Sequence, residues 1–255
     1  MPITSQGLSG SLTITFDDAM LCQFEHGFPV LREMRMPGVM FVPTGLTGQW
    51  FEGEPMMKVA QLKELADAGW EIGSHTVSHP RLASKGCVKM PLRCIEAEFR
   101  ESRDWLLSRG FRVVSLAYPY GDYSPEVATL ARQYYTYART CERGLNSYSS
   151  SDVRLARFNL CHKRASGWQS AVRAALDQKS WLIAMIHRVV RNESEIPPDK
   201  ESLYLTRGEL EEALQFAARS GIPVRTIQQT GELCKKLPER PAALIESGTE
   251  RGAAW

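Results

Sequence analysis

The chain has 255 residues, 43% of them hydrophobic, and a formal net charge of +2. A chain of this length can bury a substantial core as one large domain. Acidic and basic residues are interleaved, and the lack of a long basic run argues against nucleic acid or an anionic membrane as a partner.

The sequence shows no sign of export. No apolar stretch approaches the roughly 20 residues that a membrane-spanning helix requires, so we expect no transmembrane segment. Residues 1–11 are polar and lack the charged, apolar and cleavage regions of a signal peptide. The six cysteines include no CxxC pair, which favours free thiols over a disulfide framework or a zinc ribbon. We therefore predict a cytoplasmic protein, while its oligomeric state stays open.

Segments with the pattern of a strand alternate with segments of helical periodicity along most of the chain. The predicted strands are 11–16, 39–42, 70–73, 113–117, 134–139, 181–186 and 224–227. The predicted helices are 28–34, 58–68, 95–109, 124–133, 168–177 and 207–220. Such alternation favours a parallel sheet or barrel in an α/β domain. We place this single domain over 1–237 and predict a poorly ordered tail over 238–255, which is rich in Pro, Gly, Glu and Ala.

Chemically reactive side chains stand where predicted strands end. Asp17 and Asp18 follow the first strand, His75 follows the third, Tyr120 comes after the fourth, and His187 follows the sixth. In barrels of parallel strands, catalytic residues gather at the carboxyl ends of the strands. We therefore expect these side chains to share one rim of a barrel.

Two histidines four residues apart, His75 and His79, lie in the sequence SHTVSHP, downstream of the aspartate pair. Two imidazoles and one carboxylate are a usual ligand set for a divalent metal with open positions for water. The remaining carboxylate could serve as a general base. Each motif alone is weak, because aspartates are common in turns. Together they predict metal-assisted hydrolysis, with Zn²⁺ favoured and Co²⁺, Ni²⁺, Mn²⁺ or Fe²⁺ compatible by ligand type.

Four motifs in this order closely resemble those of the NodB-homology polysaccharide deacetylases, carbohydrate esterase family 4. They are TFDD at 15–18, SHTVSHP at 74–80, YPYG at 118–121 and an apolar strand that ends at His187. The resemblance extends over roughly 11–230, nearly the whole chain. It implies a distorted (β/α) barrel with about seven strands.

The resemblance implies a role for each of these motif residues. The first aspartate, Asp17, would be the general base, and His187 would be the general acid. The backbone N–H of Tyr120 would help to stabilise the oxyanion. An apolar residue before the acid would form a pocket for the acetyl methyl group, and Met185 best fits that description. Three residues would bind the metal: Asp18, His75 and His79.

Further substrate contacts are expected around the mouth of the barrel. Trp50 lies in a glycine-bearing loop after the second strand, where an aromatic ring could stack on a sugar face. Tyr118, in the third motif, is the third predicted substrate contact, after Met185 and Trp50.

One position departs from the family pattern. Many members have an arginine two residues before the Pro-Tyr-Gly of the third motif, where it orients the base. This chain has Ala117 there and looks like a branch of the family with an Ala-Tyr-Pro-Tyr-Gly form. A substitute cation could come from Arg157 or Arg139, although each could equally be a surface or structural arginine.

The motifs predict an enzyme, a metal-dependent hydrolase that removes an N-acetyl group from an amino sugar or saccharide precursor. Its substrate would be an N-acylated amino sugar or a small saccharide. A deformylase or another amide hydrolase on the same fold is an alternative that one sequence does not distinguish. A catalytically idle carbohydrate-binding protein is a second alternative, favoured by Ala117 but opposed by the intact Asp17 and His187.

Overall fold

The computed structural model describes residues 9–84, 87–148 and 151–235. Thirteen strands lie in this part of the chain: β1 Ser11–Phe16, β2 Val39–Val42, β3 Trp50–Phe51, β4 Glu54–Pro55, β5 Glu71–Ser74, β6 Ala83–Ser84, β7 Cys87–Val88, β8 Ser115–Ala117, β9 Tyr137–Arg143, β10 Asp152–Asn159, β11 Trp181–Ile186, β12 Arg188–Val190 and β13 Tyr204–Thr206. Seven α-helices lie there too: α1 Phe28–Glu33, α2 Val59–Asp67, α3 Leu92–Leu107, α4 Pro125–Ala131, α5 Ala165–Asp177, α6 Arg207–Ser220 and α7 Ile227–Cys234. The predicted tail, 238–255, falls outside the described residues.

Seven of these strands close a barrel in the order β1–β11–β10–β9–β8–β5–β2. All neighbouring strands are parallel, and β1 pairs with β11 over its whole length, from Ser11 opposite Trp181 to Phe16 opposite Ile186. The other strands form two-stranded sheets, namely β3–β4, β6–β7 and β12–β13. The prediction of an α/β barrel with about seven strands is therefore confirmed.

The alternating side chains of the barrel strands divide the core into two layers. In β11, Trp181 and Ile183 belong to an inner cluster with Phe41 from β2 and Leu155 from β10. Their neighbour Leu182 belongs to a larger outer cluster that includes residues of the helices. Because successive side chains of a strand point to opposite faces, a single strand supplies both layers. The inner layer fills the barrel interior and supports the rim above it.

The set of strands that form the barrel differs from the prediction in two respects. Residues 224–227, the predicted last strand, instead contain an isolated bridge from Val224 to Leu12 and the start of α7. Thr226 caps this helix, because its Oγ1 accepts the Gln229 N–H at 3.1 Å while the Gln229 side chain accepts the Thr226 N–H. The seventh barrel strand is β10, which the sequence pattern does not reveal because bulges and charged residues interrupt its alternation.

The helix boundaries follow the predicted ones closely. α6 spans the predicted 207–220, and Gly221 after it adopts the left-handed conformation (φ +72°) that glycine reaches without steric cost. Ser124 caps α4, because its side chain accepts the Val127 N–H. In the described ranges, no helix combines the length and the apolar character that crossing a bilayer requires.

A buried carboxylate, Glu71, ties the amino-terminal end of the barrel to α7. Its side chain accepts a hydrogen bond from the Ser115 hydroxyl at 2.6 Å and another from the Gln228 N–H at 2.7 Å. Glu71 begins β5, Ser115 begins β8, and Gln228 lies in the first turn of α7. Because buried polar groups are costly when they lack a hydrogen-bond partner, we expect this junction to be sensitive to substitution.

We expect Glu71→Ala to lower the free energy of unfolding by about 2 to 4 kcal/mol, because it deprives the Ser115 hydroxyl and the Gln228 N–H of their acceptor. Urea denaturation of the variant and the wild type measures this difference. Glu64→Ala, at an exposed position of α2, is the matched control and should change stability by less than about 0.5 kcal/mol. Equal stability of the Glu71 variant and the wild type would contradict the importance of this contact.

Candidate active site

The carboxyl ends of four barrel strands bring the predicted site residues to one rim. Asp17 and Asp18 follow β1, His75 follows β5, Tyr120 comes shortly after β8, and His187 follows β11. All five line the same cavity. The strand-end positions predicted from the sequence therefore converge as expected for a parallel barrel.

Two of these side chains, Asp18 and His75, form a compact cluster with His79. His75 Nε2 lies 3.5 Å from Asp18 Oδ1, and His79 Nε2 lies 3.4 Å from the same oxygen. His75 Nδ1 lies 2.7 Å from the backbone carbonyl oxygen of Ala117, which can only accept a hydrogen bond. Nδ1 therefore carries the proton, and Nε2 presents a lone pair toward Asp18.

The ionised form of Asp18 finds no compensating positive charge within this cluster. Burial lowers the pKa of His75 to about 4 and that of His79 to about 3, so both imidazoles are neutral at pH 7. Burial, followed by the charge of the neighbouring Asp17, raises the pKa of Asp18 to about 8. The contacts of Asp18 with the histidines are thus not ion pairs, and it forms none with a lysine or arginine of the described residues.

Asp17 has a different environment, because a buried arginine contacts it. The Arg139 guanidinium donates a hydrogen bond to Asp17 Oδ2, and Arg139 is fully buried. Burial alone would raise the pKa of Asp17, but Arg139, together with His75 and His187, holds that pKa below its usual value. Arg139 stands directly opposite Ala117 in the β8–β9 register.

The second predicted arginine, Arg157, forms no ion pair or hydrogen bond with Asp17, and its Nε and Nη1 are buried without an acceptor in the described part of the chain. His187 does approach the aspartate, with 3.8 Å between His187 Nε2 and Asp17 Oδ2. Burial lowers the pKa of His187 to about 4, assisted by the positive charges of Arg139, Arg188 and Arg157 and opposed by Asp17. The His187 imidazole is therefore neutral at pH 7.

Tyr120 has a left-handed backbone conformation, with φ 58° and ψ 6°. The residue is 43% exposed, and the centroid of its ring lies 4.7 Å from that of His79 and 4.1 Å from the Arg81 guanidinium carbon. The hydrogen bonds of this turn come from the N–H groups of Gly121 and Asp122. The Tyr120 N–H has no acceptor among the described residues, and Tyr120 is one of the residues that line the cavity.

The three predicted substrate contacts occupy different environments. Met185 is buried, and its Sδ lies 3.0 Å from Arg139 Nη1. Trp50, in the β3–β4 hairpin, is 72% exposed. Tyr118 borders the cavity but is only 1% exposed. Its ring stacks on Tyr123 with 5.4 Å between the centroids, and its hydroxyl donates to the Val153 carbonyl at 3.1 Å.

Several residues at the site carry no recognisable sequence signal. The buried Gln23 amide donates hydrogen bonds to the backbone carbonyls of both Asp17 and His187, and so links their two segments. Arg188 and Glu52 form an ion pair of 3.1 Å and both line the cavity. Arg188 could have been suspected because it directly follows His187. Gln23 and Glu52 could not, because their contacts join segments that are distant in sequence.

Comparison with known proteins identifies relatives of this chain. The polysaccharide deacetylase family model matches residues 5–138. The poly-β-1,6-N-acetyl-D-glucosamine N-deacetylase of Staphylococcus aureus is 29% identical over 119 residues, which cover 44% of this chain and 40% of that protein. The chain thus spans less than half the length of this curated relative.

Solved structures show the same likeness. The Streptococcus pyogenes deacetylase PplD, in complex with acetate, superposes with a TM-score of 0.50 at 25% identity, over 57% of this chain and 63% of that one. The family 4 carbohydrate esterase from Streptomyces lividans, also in complex with acetate, has a TM-score of 0.55 at 16% identity, over 88% of this chain and 96% of that one. This second likeness shows the fold alone.

The family match includes the first three motifs, TFDD, SHTVSHP and YPYG, and the fold is the closed parallel barrel that they implied. The chain therefore belongs to the polysaccharide deacetylase family.

Proposed function

We propose that this protein is a metal-dependent hydrolase that removes the N-acetyl group from an amino sugar in a saccharide. The observation that carries the proposal is that two adjacent carboxylates have different partners. Asp17 forms an ion pair with Arg139, whereas Asp18 lies beside two histidines. The S. aureus relative is named as a deacetylase of an N-acetylglucosamine polymer, and the S. pyogenes structure holds acetate, the expected acyl product. Both support an N-acetyl substrate.

Asp18, His75 and His79 fit a divalent metal ion. Their ligand atoms all lie within 4.8 Å of one another, both imidazoles are neutral, and Asp18 forms no ion pair with a lysine or arginine among the described residues. This donor set favours Zn²⁺ and also suits Co²⁺, Ni²⁺, Mn²⁺ or Fe²⁺. A metal bound there would polarise the acetyl carbonyl and lower the pKa of a water molecule.

Asp17 would be the general base. Its pKa is held below the usual value, so the carboxylate is ionised at neutral pH. Arg139 occupies Oδ2, whereas Oδ1 is buried and has no hydrogen-bond partner among the described groups. Oδ1 is therefore the oxygen that could take a proton from water.

His187 would deliver the proton to the leaving nitrogen. Because its pKa is about 4, the resting imidazole is neutral at pH 7 and does not bring a proton of its own. Its Nε2 lies 3.8 Å from Asp17 Oδ2, so the imidazole stands beside the carboxylate that would receive the water proton. The imidazole would take up that proton from the Asp17 carboxyl group before it protonates the leaving nitrogen. The Tyr120 N–H would stabilise the oxyanion, a contribution of about 3 to 4 kcal/mol for one donor.

The substrate contacts belong to the same proposal. The exposed Trp50 ring would stack on a sugar face, and Met185, beside Arg139, would face the acetyl methyl group. Tyr118 would contribute through its backbone, because its ring is stacked on Tyr123 and its hydroxyl is bonded to the Val153 carbonyl.

Acetate release from N-acetylglucosamine oligomers, measured with and without a chelator, tests the function. We expect acetate from the metal-loaded protein, none after chelation, and recovery when Zn²⁺ is added. Asp17→Asn should lower kcat by about 10²- to 10⁴-fold while metal binding persists, because only the base is removed.

N-formylated oligomers, assayed in parallel, distinguish a deformylase from a deacetylase. Binding of the oligomers without hydrolysis of either set would instead indicate a carbohydrate-binding protein. Near-wild-type turnover by Asp17→Asn would overturn the role given to that residue.

Zn²⁺ binding should be coupled to proton release. Without metal, Asp18 is protonated below a pH of about 8, so the ion must displace its proton, whereas His75 and His79 are already neutral. The apparent affinity should rise about tenfold per pH unit up to a pH of about 7.5 and level off above the pKa of Asp18. Calorimetry at pH 7 in buffers of different ionisation enthalpy should detect about one proton released per site.

The control for this measurement is Asp18→Asn, which should bind Zn²⁺ weakly and lose the pH dependence. A wild-type affinity that does not change with pH would contradict the raised pKa of Asp18.

Arg139→Met should raise the pKa of Asp17, because the carboxylate loses its counter-charge. The acid limb of the kcat/KM profile should therefore move up by about 1 to 3 pH units. Arg139→Lys should restore part of the shift. Arg109→Met, which removes an arginine stacked on Trp105 at 3.6 Å, is the control and should leave the profile unchanged. An unchanged profile for Arg139→Met would refute its role.

A further inference from the structure

The loop between the two candidate metal-binding histidines has an unusual backbone. Thr76 has a φ of +67° and His79 a φ of +56°, in the left-handed region that residues with a side chain adopt at a cost. Such conformations persist only where surrounding contacts enforce them. The position of His79 relative to His75 therefore depends on the contacts that fix the backbone of the residues between them.

The loop is stabilised by one hydrogen bond between its own residues and by two from the segment that follows β2. The Thr76 hydroxyl oxygen accepts the His79 N–H at 3.1 Å. The carbonyls of Thr76 and Val77 accept the N–H groups of Thr44 and Gly45, at 3.0 and 2.9 Å. These bonds satisfy the loop carbonyls but leave the N–H groups of its tip to another partner.

That partner is one carboxylate, Glu98, which reaches the loop from α3. Its Oε2 accepts the Val77 N–H at 2.7 Å and the Ser78 N–H at 2.9 Å, and its Oε1 accepts the Ser78 hydroxyl at 2.6 Å. Ile95 and Phe99 on the same helix are fully buried, so the carboxylate projects from a fixed element. Three donors between the two histidines thus converge on a single rigidly mounted side chain.

We propose that Glu98 is a positioning residue of the metal site. It holds the loop tip against α3, and this fixes the left-handed turn that points His75 and His79 toward Asp18. Glu98 touches neither the three ligand side chains nor the cavity, so its effect passes through the loop backbone. The inference rests on the proposed metal site and concerns its affinity for the ion. Loss of such outer partners typically weakens metal binding about 10- to 100-fold.

The test compares Zn²⁺ affinity across variants of the whole chain, measured by competition with a chromophoric chelator. Glu98→Ala should weaken binding by about 10- to 100-fold. Glu98→Gln keeps an acceptor for the loop N–H groups and should show a smaller loss. Glu96→Ala is the matched control, because this neighbour on α3 also accepts a hydrogen bond, from the Tyr134 hydroxyl at 2.7 Å, but lies outside the loop. It should bind Zn²⁺ as the wild type does.

Urea unfolding of the metal-free proteins separates positioning from general stability. We expect the Glu98 and Glu96 variants to lose similar stability while only the Glu98 variants lose affinity. If Glu98→Ala does not fold, Ser78→Ala removes one of the three bonds and should still weaken binding severalfold. Wild-type affinity in the folded Glu98 and Ser78 variants would overturn the inference and leave the metal site standing. A wild type that binds no Zn²⁺ would instead remove the proposed metal site itself.

Discussion

The burial of two adjacent carboxylates at the end of β1 is the constraint around which this site is arranged. A buried charge is costly unless an opposite charge compensates it. Arg139 compensates Asp17, which stays ionised, while Asp18 meets neutral imidazoles and is left with a raised pKa. One strand end thus supplies two chemically different acids. Under the proposed function, the first handles a proton and the second requires a cation.

Much of the fold follows from local sequence patterns. The bounds of β1, β2 and β11 match the predicted strands, because apolar runs that are buried on both faces are recognisable without tertiary information. β10 was not predicted, since its apolar–polar alternation ends where Ala156 follows Leu155, and bulges shift its register on both sides of Leu155. The mistaken strand at 224–227 had a local signal against it. Thr226 and Gln229 form a capping box, which marks the start of a helix.

The site residues that follow the ends of strands could be predicted from the sequence. The contacts that depend on the register between neighbouring strands could not. Both β9 and β10 carry an arginine near the rim, and sequence alone gave no reason to choose between Arg139 and Arg157. The choice depends on how far each strand is shifted along its neighbour, which long-range pairing decides. The contacts of Gln23 and Glu98 were not predicted either, since each joins residues that are distant in sequence, 164 residues apart for Gln23 and His187 and 21 for Glu98 and Val77.

The pairing of Ala117 with Arg139 has a consequence for how such sites are compared. Ala117, where the motif resemblance leads one to expect an arginine, and Arg139 are direct neighbours across β8 and β9, so side chains from either strand start at adjacent points of the rim. The positive charge is then preserved in space although it has moved in sequence. A search that demands arginine at one fixed motif position would discard this chain as degenerate. Two arginines in such barrels are better called equivalent when their guanidinium groups contact the same carboxylate than when they lie on the same strand.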